Sequence, residues 1–141
     1  MAEPASPLPW LHIAEVVASE AAARGYRRLG LAGTRWLVAS DVYPEKLALR
    51  GLELVRPGDD ECDQMGRLIM DELVVGMFRP ATVEYFQGVI RGLQARNCDA
   101  VILGCTEIPL IIDDRNSPLP TLDSTRLLAR AALRRAVGAA H

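Results

Sequence analysis

The chain has 141 residues, of which 50% are hydrophobic and 24% are charged, an ordinary balance for one globular domain with a substantial core. The formal net charge of −2 excludes a general attraction to nucleic acid or to an anionic membrane, and no apolar run reaches the roughly 18 residues that a membrane span needs. Three cysteines without a signal-peptide pattern predict reduced thiols in the cytoplasm. The cysteines lack C-x-x-C spacing and only two histidines are present, so we expect no metal site.

The N-terminal half of the chain predicts alternating helices and strands after a proline-rich start. Residues 1–9 carry three prolines and are expected to be extended or disordered, and one α/β domain is expected over 10–141. Apolar residues at helical spacing, short apolar runs and glycines after them predict the following elements. They are helix 13–24, strand 27–34, helix 43–50 and strand 52–57.

The C-terminal half continues the same alternation. Asp59 and Asp60 are suitable N-caps for the helix that follows them. Strand 99–104 is apolar at nearly every position, as in a central strand that is covered on both faces. The predicted elements are helix 61–75, helix 82–96, strand 99–104, strand 119–122 and helix 123–137. Strands that alternate with helices predict a three-layer α/β sandwich around a mostly parallel four-stranded sheet.

Ligands of such sheets bind beyond the carboxyl ends of the strands. Cys105, Thr106 and Glu107 follow the third strand directly, and Thr34 follows the first. A thiol at this edge is a candidate nucleophile or base, and we expect nearby backbone N–H groups to lower its pKa, so that it is alkylated ahead of Cys98. The alternative is that Cys105 is a small buried apolar residue, which is the usual fate of a free cysteine. Position alone leaves both interpretations open.

The segment VILGCTEIPLII, residues 101–112, resembles the second-cysteine motif of the aspartate/glutamate racemase superfamily. Glutamate after Cys-Thr resembles the aspartate and broad-specificity branch of these cofactor-independent amino-acid racemases. Further segments occur in the order of the family and at about its spacing: LPWLHIAE (8–15), LGLAGTR (29–35), DVYPEKL (41–47), DELVVG (71–76) and PLPTLDS (118–124). The resemblance therefore covers nearly the whole chain.

The resemblance implies a site between two similar α/β halves, with a cysteine on each face of the substrate and no pyridoxal phosphate or metal. Cys105 would be the acid/base group of one face, and Thr106, Glu107 and Thr34 would bind an amino acid or a small carboxylate. Val74 and Val75 stand where aspartate-preferring members often have a basic residue, which favours a less acidic substrate. A homodimer is expected to cover the apolar surface that a missing sister half would leave.

The chain departs from the family at its start. The half with the first cysteine should precede Leu8, yet nine residues precede Trp10, and no Cys-Asn-Thr motif is present. We therefore expect a truncated chain with one catalytic cysteine. An inactive module that binds small carboxylates or a partner, and a different one-cysteine lyase or isomerase, remain as alternatives. Cys98 is expected at the opposite edge of the sheet. Cys62 is expected at the correct edge but on the same half, in the first turn of a helix, so it is not expected to replace the missing cysteine. His12 is expected to have a packing or hydrogen-bonding role.

Overall fold

In a computed structural model of the chain, which describes residues 13–33 and 42–139, helices and strands alternate as predicted. The elements are α1 Ile13–Ala23, β1 Arg28–Ala32, α2 Val42–Ala48, β2 Glu53–Val55, α3 Asp59–Leu68, α4 Pro80–Ala95, β3 Ala100–Leu103, β4 Thr121–Asp123 and α5 Ser124–Ala139. Two short helical turns complete the description. A π-helical turn over Ile69–Leu73 continues α3, and a 3-10 turn over Ile108–Leu110 follows β3.

The four strands form one sheet in the order β2-β1-β3-β4, and every neighbouring pair is parallel. All four residues of β3 are buried, so both faces of the sheet are covered at this central strand. The helices pack in two groups, α1 with α2 and α5, and α3 with α4. This arrangement confirms the predicted parallel α/β fold.

Helix α4 packs directly against Gly30 of β1. The helix buries Phe86, Val89, Ile90 and Leu93, which recur at helical spacing. A Cβ atom placed on Gly30 would lie 2.5 Å from Cδ1 of Leu93 and 3.2 Å from its Cβ. The missing side chain of Gly30 is therefore the space into which α4 packs.

The N-terminus of α3 corrects one prediction. Asp59 and Asp60 are not the N-cap, because the backbone becomes helical one residue earlier and Gly58 takes that position. The Glu61 carboxylate accepts the Gly58 N–H at 3.0 Å, and the two aspartates occupy the first turn, where negative charge favours the helix dipole. At α5 the cap is Asp123, whose Oδ1 accepts the Arg126 N–H at 3.1 Å.

The strands are shorter than their apolar runs suggested. Strand β2 covers three residues of the predicted 52–57, and Pro57 has no N–H with which to continue the ladder. The expected extended start over 1–9 and the packing role of His12 fall on residues that the structure does not describe. Among the described helices, none is both long and apolar enough to cross a membrane.

Candidate functional site

Cys105 lies at the carboxyl edge of the sheet, as predicted. It follows β3 after Gly104, and the Gly104 N–H donates to the carbonyl of Ala32 at 2.8 Å. Because Ala32 is paired with Leu103, the carboxyl ends of β1 and β3 lie side by side. Cys105 therefore stands at the centre of the edge where parallel α/β sheets bind ligands.

The thiol of Cys105 is half-buried and has a pKa above its ordinary value. Burial is the main cause, since it disfavours the thiolate. The backbone N–H groups of Ile108 and Glu107 hydrogen-bond the sulfur and lower the pKa, but less than burial raises it. The prediction of a lowered pKa is wrong, because it counted the N–H donors and left out desolvation and the negative charge of Glu107.

Thr106 and Glu107 form a polar pair beside the thiol. The exposed Thr106 hydroxyl donates to Oε2 of the half-buried Glu107 at 2.6 Å. The Glu107 carboxylate also accepts a hydrogen bond from the Cys105 thiol, which favours the protonated sulfur. Glu107 stands as the N-cap residue of the 3-10 turn, so the start of that turn fixes its backbone. The structure thus brings three of the four predicted site residues together.

The fourth predicted site residue, Thr34, lies outside the described part of the chain. Its neighbour Gly33 is buried at the end of β1. The other two cysteines are buried and stand elsewhere. Cys62 lies in α3, with its sulfur 3.7 Å from the carbonyl oxygen of Pro57, and Cys98 precedes β3 at the opposite end of the strand from Cys105. Cys105 is therefore the most exposed of the three thiols.

A second feature of this edge is an exposed apolar surface, whose residues were not identified from the sequence. The connection between α3 and α4 exposes a run of large apolar side chains over residues 74–78, which we call the apolar turn. The π-helical turn before it packs against the 3-10 turn that follows Cys105. The signal in the sequence is the apolar run VVGMF, which spans the end of the predicted helix 61–75 and the residues after it. Within the described residues, no three His, Cys, Asp or Glu side chains are grouped as metal ligands.

Comparison with known proteins places this arrangement in a family. Residues 1–132 match the sequence model of the Asp/Glu/Hydantoin racemase family. A candidate Asp/Glu racemase from Yersinia pestis is 32% identical, with a TM-score of 0.88, over 96% of this chain and 59% of that one. An aspartate racemase homologue from Pyrococcus horikoshii is 31% identical, with a TM-score of 0.83, over 91% of this chain and 56% of that one.

The aspartate racemase of Picrophilus torridus is also similar, at 28% identity and a TM-score of 0.70, over 89% of this chain and 52% of that one. This chain thus spans between 52% and 59% of the length of these three structures. The family match covers nearly all of this chain, and the matched structures share its parallel sheet and helices. The chain belongs to the Asp/Glu/Hydantoin racemase family.

Proposed function

We propose that this chain forms one face of the site of a cofactor-independent amino-acid racemase, with Cys105 as the acid/base group. The observation that supports this most is the position of the thiol. Cys105 is half-exposed at the carboxyl edge of the central strand, and two backbone N–H groups are directed at its sulfur. A side chain in that position can reach the α-carbon of a substrate bound at the edge.

The raised pKa of Cys105 bears on its protonation state before the reaction. At neutral pH the Cys105 thiol carries its proton, which suits the group that returns a proton to the α-carbon. In this step the S–H bond breaks, the new C–H bond forms from the carbanion electron pair, and a thiolate remains. The N–H groups of Glu107 and Ile108 then stabilise that thiolate. Reversal of the same step abstracts the α-proton.

Thr106, Glu107 and Thr34 are proposed to bind the substrate. The Thr106 hydroxyl can donate to a carboxylate, and the Glu107 carboxylate can accept from an ammonium group. The apolar turn offers Val74 and Val75 near the same edge. We therefore propose that the substrate is an amino acid less acidic than aspartate. Because the site needs a free thiol, we also propose a compartment that keeps cysteines reduced, such as the cytoplasm.

One observation favours a second candidate, a binding module without turnover. Two-base inversion needs a group that abstracts the α-proton on one face of the α-carbon and a proton donor on the other, and Cys105 provides one of these two groups. Its raised pKa also lowers the fraction of thiolate that can begin the reaction at neutral pH. Such a module would still bind small carboxylates through the Thr106–Glu107 pair.

An isotope experiment separates the two candidates. The purified chain is incubated in deuterium oxide with aspartate, glutamate, alanine and leucine, and both α-hydrogen exchange and the D/L ratio are followed. We expect exchange with little inversion from a monomer, because a single base returns the proton to the face from which it came. Binding without any exchange would support the module and contradict the proposed function. Fast racemisation by a demonstrated monomer would contradict the one-thiol site.

A further inference from the structure

A cavity at the amino end of the sheet lies at the opposite end from Cys105. It opens between the ends of α1 and α2, and its lining includes Gly25, Tyr26, Arg27, Arg50 and Gly51. Arg27 directly precedes β1, whose five residues span about 16 Å to the edge that carries Cys105. The cavity has a volume of about 180 Å³, which is room for about ten water molecules at roughly 15 Å³ each. It can therefore hold a small polar ligand, and it shares no residue with the proposed Cys105 site.

Two helix ends with a fixed backbone form the walls of this cavity. Gly25 and Gly51 have φ values of +82° and +73°, in the left-handed region that glycine favours. The Gly25 N–H donates to the carbonyl of Ala22 at 3.1 Å, and the Tyr26 N–H donates to the carbonyl of Ala21 at 3.0 Å. Gly51 and the residue after it make the same two hydrogen bonds at the end of α2. Both ends are Schellman motifs, so the backbone around the cavity is preorganised, which lowers the entropy lost on binding.

The arginines next to the cavity in sequence have carboxylate partners. Nε of Arg24 lies 2.6 Å from Oε2 of Glu20, and Nη1 of Arg28 lies 2.7 Å from Oε2 of Glu53. These two guanidinium groups are therefore neutralised within the chain, and neither of them lines the cavity.

The two arginines that line the cavity have no such partner. Arg27 and Arg50 are exposed, and neither guanidinium makes an ion pair or a hydrogen bond with any residue that the structure describes. Asp99 is the acid beside Arg27, but its Oδ2 already accepts the N–H groups of Arg27 and Arg28 at 2.8 and 3.0 Å. Among the described residues that line the cavity, none is acidic, so its positive charge is not offset from within.

We propose that this cavity binds the phosphate group of a small ligand, through the guanidinium groups of Arg27 and Arg50. A guanidinium stays charged at all ordinary pH values and presents parallel N–H donors that match two oxygens of a phosphate. A phosphate monoester carries about two negative charges at neutral pH, which two unpaired arginines balance. Tyr26 is half-buried in the same lining and offers the rest of the ligand an aromatic ring to contact.

A second cavity with arginines, beside β4, is less suited to an anion. It is lined by Arg24, Arg126 and Arg130, but also by Asp114 and Asp123. The two carboxylates offset most of the positive charge of this cavity, which disfavours a dianion. Its arginines therefore provide a control for the general effect of positive charge on binding.

Isothermal titration calorimetry of the full chain tests the site independently of any racemase activity. Inorganic phosphate, adenosine monophosphate and ribose 5-phosphate are titrated separately at one fixed ionic strength, because exposed charges are screened by salt. Saturable binding at one site is expected. Arg27→Gln/Arg50→Gln should raise the Kd at least about tenfold, since it removes charge-assisted hydrogen bonds. Arg126→Gln/Arg130→Gln is the matched control: it removes the same charge from two exposed arginines of α5 and should leave the Kd unchanged.

The three ligands separate the sources of the phosphate group. Tighter binding of either monoester than of inorganic phosphate would support a phosphorylated metabolite, and equal binding of all three would support free phosphate. Circular dichroism and thermal unfolding of each variant show whether the chain remains folded. The proposal would be overturned if none of the three ligands bound, if binding survived Arg27→Gln/Arg50→Gln, or if the control variant weakened binding equally.

Discussion

Replacing Gly30 with alanine is expected to destabilise the fold that positions Cys105. The new Cβ atom would lie 2.5 Å from Cδ1, 3.1 Å from Cγ and 3.2 Å from Cβ of Leu93, distances shorter than ordinary carbon–carbon contact. Leu93 is 1% exposed, so its side chain has no solvent space into which to rotate. Helix α4 must therefore move away from β1, and overpacking of this kind costs about 1–3 kcal/mol of unfolding free energy.

A double-mutant cycle in urea tests that reasoning. Leu93→Ala alone should cost about 2–5 kcal/mol, because it leaves a cavity in the core. In Gly30→Ala/Leu93→Ala the new methyl group enters that cavity, so the double variant should be more stable than the sum of the two losses predicts, by about 1–2 kcal/mol. Additive losses would show that the contact with Leu93 is not the cause of the destabilisation.

Gly88→Ala is the matched control for this cycle. Gly88 is an exposed position inside α4, and a Cβ atom there would meet nothing within 4 Å. Alanine is the better helix former by about 1 kcal/mol, so this variant should be more stable than the wild type. A loss of stability at Gly88 as large as that at Gly30 would refute the argument from close packing.

Three further predictions concern the titrating groups. Brief iodoacetamide treatment should label Cys105 ahead of Cys98, because Cys98 is buried. Labelling of Cys105 should accelerate as the pH rises toward its raised pKa. Peptide mapping that shows equal labelling rates for the two cysteines would contradict this. Glu107→Gln removes a negative charge that raises the pKa of Cys105, so labelling at neutral pH should be faster than in the wild type, and slower labelling would be the contrary result. Asp99→Ala removes the acceptor of two backbone N–H groups at the start of β1 and should cost about 1 kcal/mol at pH 7 once solvent screening is allowed for. Those hydrogen bonds lower the pKa of Asp99 in the folded state. The stabilisation from Asp99 is therefore present above the unfolded-state pKa and is lost as the pH falls through the folded-state pKa. Urea titrations of the wild type and Asp99→Ala should accordingly give converging free energies of unfolding in acid.

The position of the site could be predicted from the sequence because it depends on local pattern. The apolar run of β3 and its end at Gly104 are enough to put Cys105 at the carboxyl edge of a parallel sheet. The pKa of the thiol could not be predicted in the same way. It depends on how deeply the turn is packed and on the direction of the Glu107 side chain, and both are set by tertiary structure.

The end of α3 illustrates the same limit. The sequence predicts a helix over 61–75 that stops at Gly76; in the structure the last helical turn ends at Leu73, and Gly76 follows in a left-handed conformation. The π-helical turn before that glycine was not predicted, because one extra residue per turn leaves no distinct hydrophobic period over five residues. Whether Val75 and Phe78 are buried or exposed depends on what packs against them, so the apolar turn became visible only in three dimensions.

The most direct test of the central claim compares α-hydrogen exchange by the wild type, Cys105→Ser and Cys98→Ser in deuterium oxide. The account predicts that Cys105→Ser lowers the exchange rate by at least about 100-fold, since a serine hydroxyl is a far weaker acid than a thiol. Cys98→Ser should exchange at the wild-type rate, because Cys98 is buried at the other end of β3. Exchange by Cys105→Ser at the rate of the wild type would contradict the assignment of Cys105 as the acid/base group.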